Sequence, residues 1–238
     1  MNPVTGLRAI LDAARAEPVV REESAELLVQ RRWISSVTLA VGSFMLALTL
    51  RVPAGDPAFY GATLALGATW IIGGLLSGKL HLGTLPGTTG PRGTRGVVLQ
   101  GVALGALLLA LFLAGAALVA PVQVLREPLV ALLDHARYGG LPIVAALTAL
   151  VAIGEEIFFR GALYAAVGDR QALLVTTLVY ALTTIPSGMP LMVIAAALLG
   201  VVAGLQRRIT GGVLGGVVTH LIWSLGLLFL LPLALGIA

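Results

Sequence analysis

Apolar positions fall into seven long runs, at roughly 34–50, 58–77, 97–120, 141–163, 171–185, 189–205 and 211–236. Helices of about 17–25 apolar residues cross a hydrocarbon core of roughly 30 Å. Six of the runs meet that length. The fifth is short and suits a thinned or protein-lined region. Pro186-Ser187-Gly188-Met189-Pro190 reads as a tight turn between the fifth and sixth runs. Ser77 to Gly96, rich in Gly, Thr and Pro, reads as a mobile loop. Leu125 to Arg137 suits a short interfacial helix. Ahead of the runs, Val4 to Gln30 predicts one or two amphipathic helices broken near Pro18. Val4, Leu7, Ile10 and Leu11 share a face there, ringed by Arg8, Asp12 and Arg15. Such a segment lies on the membrane surface or forms a solvated arm. The first 33 residues hold no continuous apolar core, so the first run reads as an anchor rather than a cleaved signal. The expected fold is all-α, a polytopic transmembrane bundle of about seven spans. It divides into a cytoplasmic amphipathic segment (1–33), a first set of helices and loops (34–140) and a core bundle carrying the polar motifs (141–236).

Composition turns this pattern into a class. Of 238 residues, 58% are hydrophobic and 11% charged, more apolar surface than a soluble domain of this size can hide. The partner is therefore the lipid bilayer. With no cysteine, disulfides and thiolate metal sites are excluded. The net charge of +4 reports topology rather than nucleic-acid binding. With the N-terminus inside, Arg8, Arg15, Arg21, Arg31, Arg32, Lys79, Arg92, Arg95, Arg160, Arg170, Arg207 and Arg208 fall on the inner side. Only Arg51, Arg126 and Arg137 fall outside. That bias predicts a multi-pass cell-membrane protein with a cytoplasmic N-terminus. Gly200 and Gly204, Gly211 and Gly215, and Gly212 and Gly216 recur at four-residue spacing, a pattern that lets helix backbones approach.

Charge inside a span is costly and asks for a reason. The stretch GEEIFFRG, Gly154 to Gly161, places two glutamates and an arginine in an apolar run. On a helix Glu156 and Arg160 share a face and can pair. Glu155 is turned about 100° away and cannot share that pairing equally. A carboxylate left without a full ion pair in a low-dielectric site is a candidate general base. His220 is the one histidine inside a late span, and Ser224 lies on its face four residues on. If that helix enters near Ile209, His220 is about 16 Å deep, near mid-membrane and able to face Glu155. His81, in a loop, and His135, beside Asp134, read as solvated.

The order of these pieces resembles the CPBP family, the CAAX-protease and bacteriocin-processing intramembrane peptidases, also called abortive-infection proteins. Glu155-Glu156-x-x-x-Arg160-Gly161 matches its first motif. Tyr180 to Pro186 occupies the place of its Phe-x-x-x-His. Gly200-x-x-x-Gly204, Thr210-Gly211-Gly212 and His220-x-x-x-Ser224 follow, the last in place of His-x-x-x-Asn. The resemblance covers about residues 141–230. It implies hydrolysis of a peptide bond in a membrane-associated peptide or protein. Glu155 would activate a water, His220 would hold or polarise it, and Ser224 would stand where Asn stabilises the oxyanion. Glu156, Arg160 and Thr184 would support them. A divalent metal such as zinc, with Glu155 and His220 as ligands, could do the same work. Two positions depart from the family. Thr184 stands at the first histidine, and a hydroxyl is neither a base near neutral pH nor a good zinc ligand. Ser224 can still donate a hydrogen bond. Three readings stay open: an intramembrane endopeptidase, an inactive relative serving as a membrane binding or scaffold protein, and a small proton-coupled carrier.

Overall fold

The structure, a computed structural model, describes residues 24–88, 90–168 and 170–237. The predicted amphipathic helices before Ser24 lie outside the described residues. Those residues form an all-α bundle: α1 (Ala25–Thr49), α2 (Ala58–Leu76), α3 (Gly90–Val119), α4 (Gln123–Tyr138), α5 (Leu141–Val167), α6 (Ala172–Thr183), α7 (Pro190–Thr210) and α8 (Leu214–Ala234). Among them α1, α2, α3, α5, α7 and α8 are long and apolar enough to cross a membrane. α6 is the short run. Its 12 residues rise about 18 Å, and a single 3-10 turn, Ile185–Ser187, extends it. Its neighbours on either side in the chain, α5 and α7, both pack against it.

Two boundaries differ from the sequence reading. α1 begins at Ala25, nine residues before the apolar run, because Ser24 caps it by accepting from the Leu27 amide. Its early arginines dock on the bundle. Arg32 Nε donates to the Ala166 carbonyl, and Arg31 is buried beside Ser77. The Ser77–Gly96 stretch is also shorter and more ordered than its composition predicts. Residues from Gly90 onward are helical. The strap before them is fastened to the turn between α7 and α8: Val213 and Leu214 amides donate to the carbonyls of His81 and Leu82, and the Thr84 amide donates to Thr210. His81 is thus held by its backbone rather than lying in a free loop.

α4 is the expected short helix at the surface. His135 is half-buried there rather than fully solvated. Its Nε2 lies 3.0 Å from the Val52 carbonyl and its ring packs on Phe59 at 4.2 Å.

The core lies around the middle of α5. Trp70, Phe158 and Phe159 are fully buried, with Trp70 stacked on Phe158 at 4.8 Å and tilted to Phe159 at 5.2 Å. Trp70 fits because Gly42 on α1 leaves the space its ring occupies; a Cβ there would overlap it. Lipid tails are as apolar as leucine, so such notches bind membrane helices through close packing rather than water exclusion.

Gly42→Leu is expected to destabilise the detergent-solubilised protein by about 1–3 kcal/mol through overpacking. Gly61→Ala, at a site with no atom within 4 Å, should leave the thermal melt unchanged. Equal melts for the two variants would remove the notch from the account of the fold.

Candidate active site

α5 delivers both glutamates. Its backbone widens from α-helix to π-helix at Glu156 and keeps that form to Leu163, then closes in a last α-turn, Tyr164–Val167. Runs of π-helix are rare and collect at functional sites. The widened segment is pinned on one side by the Trp70–Phe158–Phe159 cluster and on another by Arg207 of α7, whose Nε donates to the Arg160 carbonyl at 2.8 Å. Fixed in this way, it turns Glu155 toward α6 and Glu156 toward α8.

Glu156 has no exposure to solvent. Its Oε1 lies 3.0 Å from Arg160 Nη1 and 3.1 Å from His220 Nδ1. The Arg160 contact is between charges: no guanidinium N–H points at an acceptor among the described residues. The guanidinium instead sits 4.8 Å over the Tyr180 ring, a favourable place for a desolvated cation. The other oxygen, Oε2, rests against Gly216, where a Cβ would come within 2.5 Å. The glycine spacing read as helix packing therefore also makes room for a carboxylate.

His220 stands between the two glutamates. Its Nδ1 faces Glu156 and so acts as donor. Nε2 then looks toward Glu155 Oε2 at 4.0 Å, a gap that a water can bridge. The residue before it, Thr219, is fully buried and donates to Gln206 Oε1 at 2.9 Å, with the Gly101 carbonyl at 3.1 Å. α3, α7 and α8 are joined there, directly beside the imidazole.

Glu155 differs from its neighbour. Its side chain keeps 10% exposure against none for Glu156, and it has no arginine within ion-pair distance among the described residues. One directed hydrogen bond reaches it, from the Tyr180 hydroxyl to Oε2 at 2.6 Å. Thr184, at the family's first histidine position, is buried, and its hydroxyl donates to the Ala181 carbonyl of its own helix. Ser224 is half-buried on the face of His220, with an enclosed Oγ that has no hydrogen-bond partner among the described residues.

The predicted Glu155, Glu156, Arg160 and His220 thus come together in one buried cluster, with Ser224 one turn away. Sequence reading missed three parts. Tyr180 appeared only as the first letter of a motif, although it shares a helical face with Thr184. Gln206 looked like an ordinary residue near the end of α7. The third part is an apolar cavity of about 540 Å³ that begins at Trp223 and Ser224 and runs between α3, α4, α5, α7 and α8, with Phe59 of α2 at its wall. Its lining is drawn from six separate stretches, so no local pattern announces it. Trp223 forms its boundary with the polar cluster, 5.8 Å from the His220 ring.

A zinc site does not fit these donors. Zinc takes four ligands, at least three of them from protein in known catalytic sites. Among the described residues there is no group of three or more His, Cys, Asp or Glu able to hold a metal. Glu155 and His220 offer two donors, while Glu156 is occupied by Arg160 and His220.

Residues 137–226 match the model of the family described as Type II CAAX prenyl endopeptidase Rce1-like. Over these residues the chain is similar to the Rce1-like CAAX endopeptidases. The matched region holds every polar residue of the cluster, Glu155 through Ser224, and agrees with the resemblance drawn from the motifs. No curated protein and no solved structure matches the chain.

Arg160→Met is expected to cost about 3–5 kcal/mol, because it strands the buried Glu156 charge. Arg160→Met combined with Glu156→Gln should recover part of that loss. Thermal melts of the single and double variants check this; a double variant weaker than the sum of its parts would contradict the pairing.

Proposed function

We propose that the chain is an intramembrane endopeptidase in which Glu155 activates a water against a peptide bond. The observation that carries this reading is the meeting of Glu155 and His220 across 4.0 Å inside an apolar bundle, with Glu156 already holding the far side of the imidazole. A water between Glu155 and His220 gives a proton to the Glu155 carboxylate, and its oxygen bonds to the carbonyl carbon of the substrate. The carbonyl becomes an oxyanion, for which the Ser224 hydroxyl, without a hydrogen-bond partner among the described residues, is the available donor. The C–N bond then breaks, and the proton held by Glu155 passes to the leaving amine. The carboxylic acid released gives its own proton to the amine, so the products are a carboxylate and an ammonium, and Glu155 returns to its starting state. The similarity of residues 137–226 to Rce1-like CAAX endopeptidases supports the reaction class. The apolar cavity beside Ser224 supports a substrate that is itself membrane-embedded.

The second reading is an inactive relative that binds a membrane protein or peptide. It is favoured by Thr184, whose hydroxyl is spent on its own helix. A binding protein, however, gains nothing from a second buried carboxylate held apart from the Glu156–Arg160 pair. In this proposal the protein sits in the cell membrane with Arg51, Arg126 and Arg137 outside, following the distribution of basic residues.

Glu155→Gln is expected to abolish the release of specific peptides from host membranes while the protein accumulates normally. Matching peptide profiles for the natural protein and Glu155→Gln, at equal accumulation, would overturn the endopeptidase reading. Orientation is open to a separate check, since the chain has no cysteine of its own. Arg51→Cys is expected to react with an impermeant maleimide on intact cells, and Gly87→Cys only after permeabilisation. The reverse pattern would invert the topology.

A further inference from the structure

We infer that Tyr180 is the positioning residue of the Glu155 centre, supplying the hydrogen bond to the carboxylate that Thr184 does not make. The inference rests on the endopeptidase reading and assigns a task to a residue which that mechanism leaves idle.

Three observations converge on it. First, the Tyr180 hydroxyl donates to Glu155 Oε2 at 2.6 Å, inside the range of hydrogen bonds to an ionised oxygen. It is the one directed hydrogen bond on that carboxylate among the described residues. Second, the phenol is held from behind. Its ring lies 4.7 Å from Phe159 and carries the Arg160 guanidinium at 4.8 Å, and Arg160 is anchored to Glu156. A buried ring gripped in this way cannot swing its hydroxyl off the carboxylate without disturbing the ion pair. Third, Thr184 lies one turn further along the same face of α6 but donates to the Ala181 carbonyl. α6 therefore presents one donor to Glu155, and it comes from position 180.

The consequence is a fixed aim for the carboxylate. Tyr180 occupies one lone pair of Oε2 and with it sets the plane of the group. The same oxygen faces His220 Nε2 at 4.0 Å, where the proposed water sits, and keeps a lone pair to take its proton. A base that can rotate spends much of its time misaimed, and a misplacement of about 1 Å can cost on the order of 100-fold in rate. Tyr180 acts through Glu155 and contacts no reacting atom, so its role is orientation.

The test compares peptides released from host membranes, counted per unit of folded protein recovered in detergent, for four proteins: natural, Glu155→Gln, Tyr180→Phe, and Tyr180→Phe with Thr184→His. Phenylalanine keeps the ring against Phe159 and Arg160 and removes only the hydroxyl. Tyr180→Phe is expected to release about 100-fold less peptide. The double variant, with a longer N–H donor on the same face of α6, is expected to recover at least about tenfold of that loss. A Tyr180 that served only to fill space would not be rescued by a histidine one turn away. Loss in Tyr180→Phe with recovery in the double variant supports the inference. Full release by Tyr180→Phe, or a loss the histidine does not recover, overturns it while leaving the endopeptidase reading intact. Identical profiles for the natural protein and Glu155→Gln sink both.

Discussion

The buried charge of Glu156 is the constraint around which the core bundle is arranged. A carboxylate without solvent exposure costs several kcal/mol unless its neighbours compensate it. Here one oxygen serves two partners, Arg160 from its own helix and His220 from α8. Each partner brings a further commitment. Arg160 must be buried as well, and it finds the Tyr180 ring and a helix wide enough to hold it. His220 must present Nδ1 inward, which leaves Nε2 aimed at Glu155. The geometry proposed for catalysis therefore follows from neutralising the carboxylate beside the catalytic one.

Close packing makes this affordable in a bilayer, where helix association draws little from water exclusion. Gly216 admits Glu156, and Gly42 admits Trp70, against which the widened part of α5 is braced. The Thr219–Gln206 tie adds an interhelical bond that does not depend on shape, a buried hydrogen bond set beside His220. Polar groups in such a site are effective because they are fixed before the substrate arrives. Rigidity of the glycine-lined contacts and precision at the polar cluster are in this sense one property.

Much of this was legible in the chain because membrane segments obey a strict rule. Every spanning backbone must satisfy its own hydrogen bonds, so long apolar runs have to be helices. The runs at 58–77, 141–163 and 211–236 became α2, α5 and α8 with small shifts at the ends. The intramembrane charges were equally plain, since Glu155, Glu156, Arg160 and His220 stand out against an apolar background. What could not be read was the conformation that relates them. An α-helical projection gives Glu156 to Arg160 and Glu155 to His220; it does not reveal that Glu156, the first residue of the π-helical stretch, meets the same imidazole. The strap from His81 to Thr84 was misjudged for a related reason. Gly and Thr content signals freedom, but the backbone bonds that remove it come from residues 210–214, more than a hundred positions away.

The same distinction bears on Thr184. A motif assigns chemistry to a letter at a position, whereas the site requires a donor at a point in space. On α6 the side chains at 180 and 184 rise from one face, and a tyrosine is long enough to cover from the earlier position what a histidine would cover from the later one. A threonine at position 184 then does not leave Glu155 without a hydrogen bond, because one reaches it from Tyr180. The exchange has a chemical limit. A phenol can orient a carboxylate, but it replaces neither the second nitrogen ligand that a zinc ion would need nor a second imidazole to shuttle protons. In the proposed reaction, a site ordered by Tyr180 therefore leaves proton transfer to one glutamate and the holding of water to one histidine.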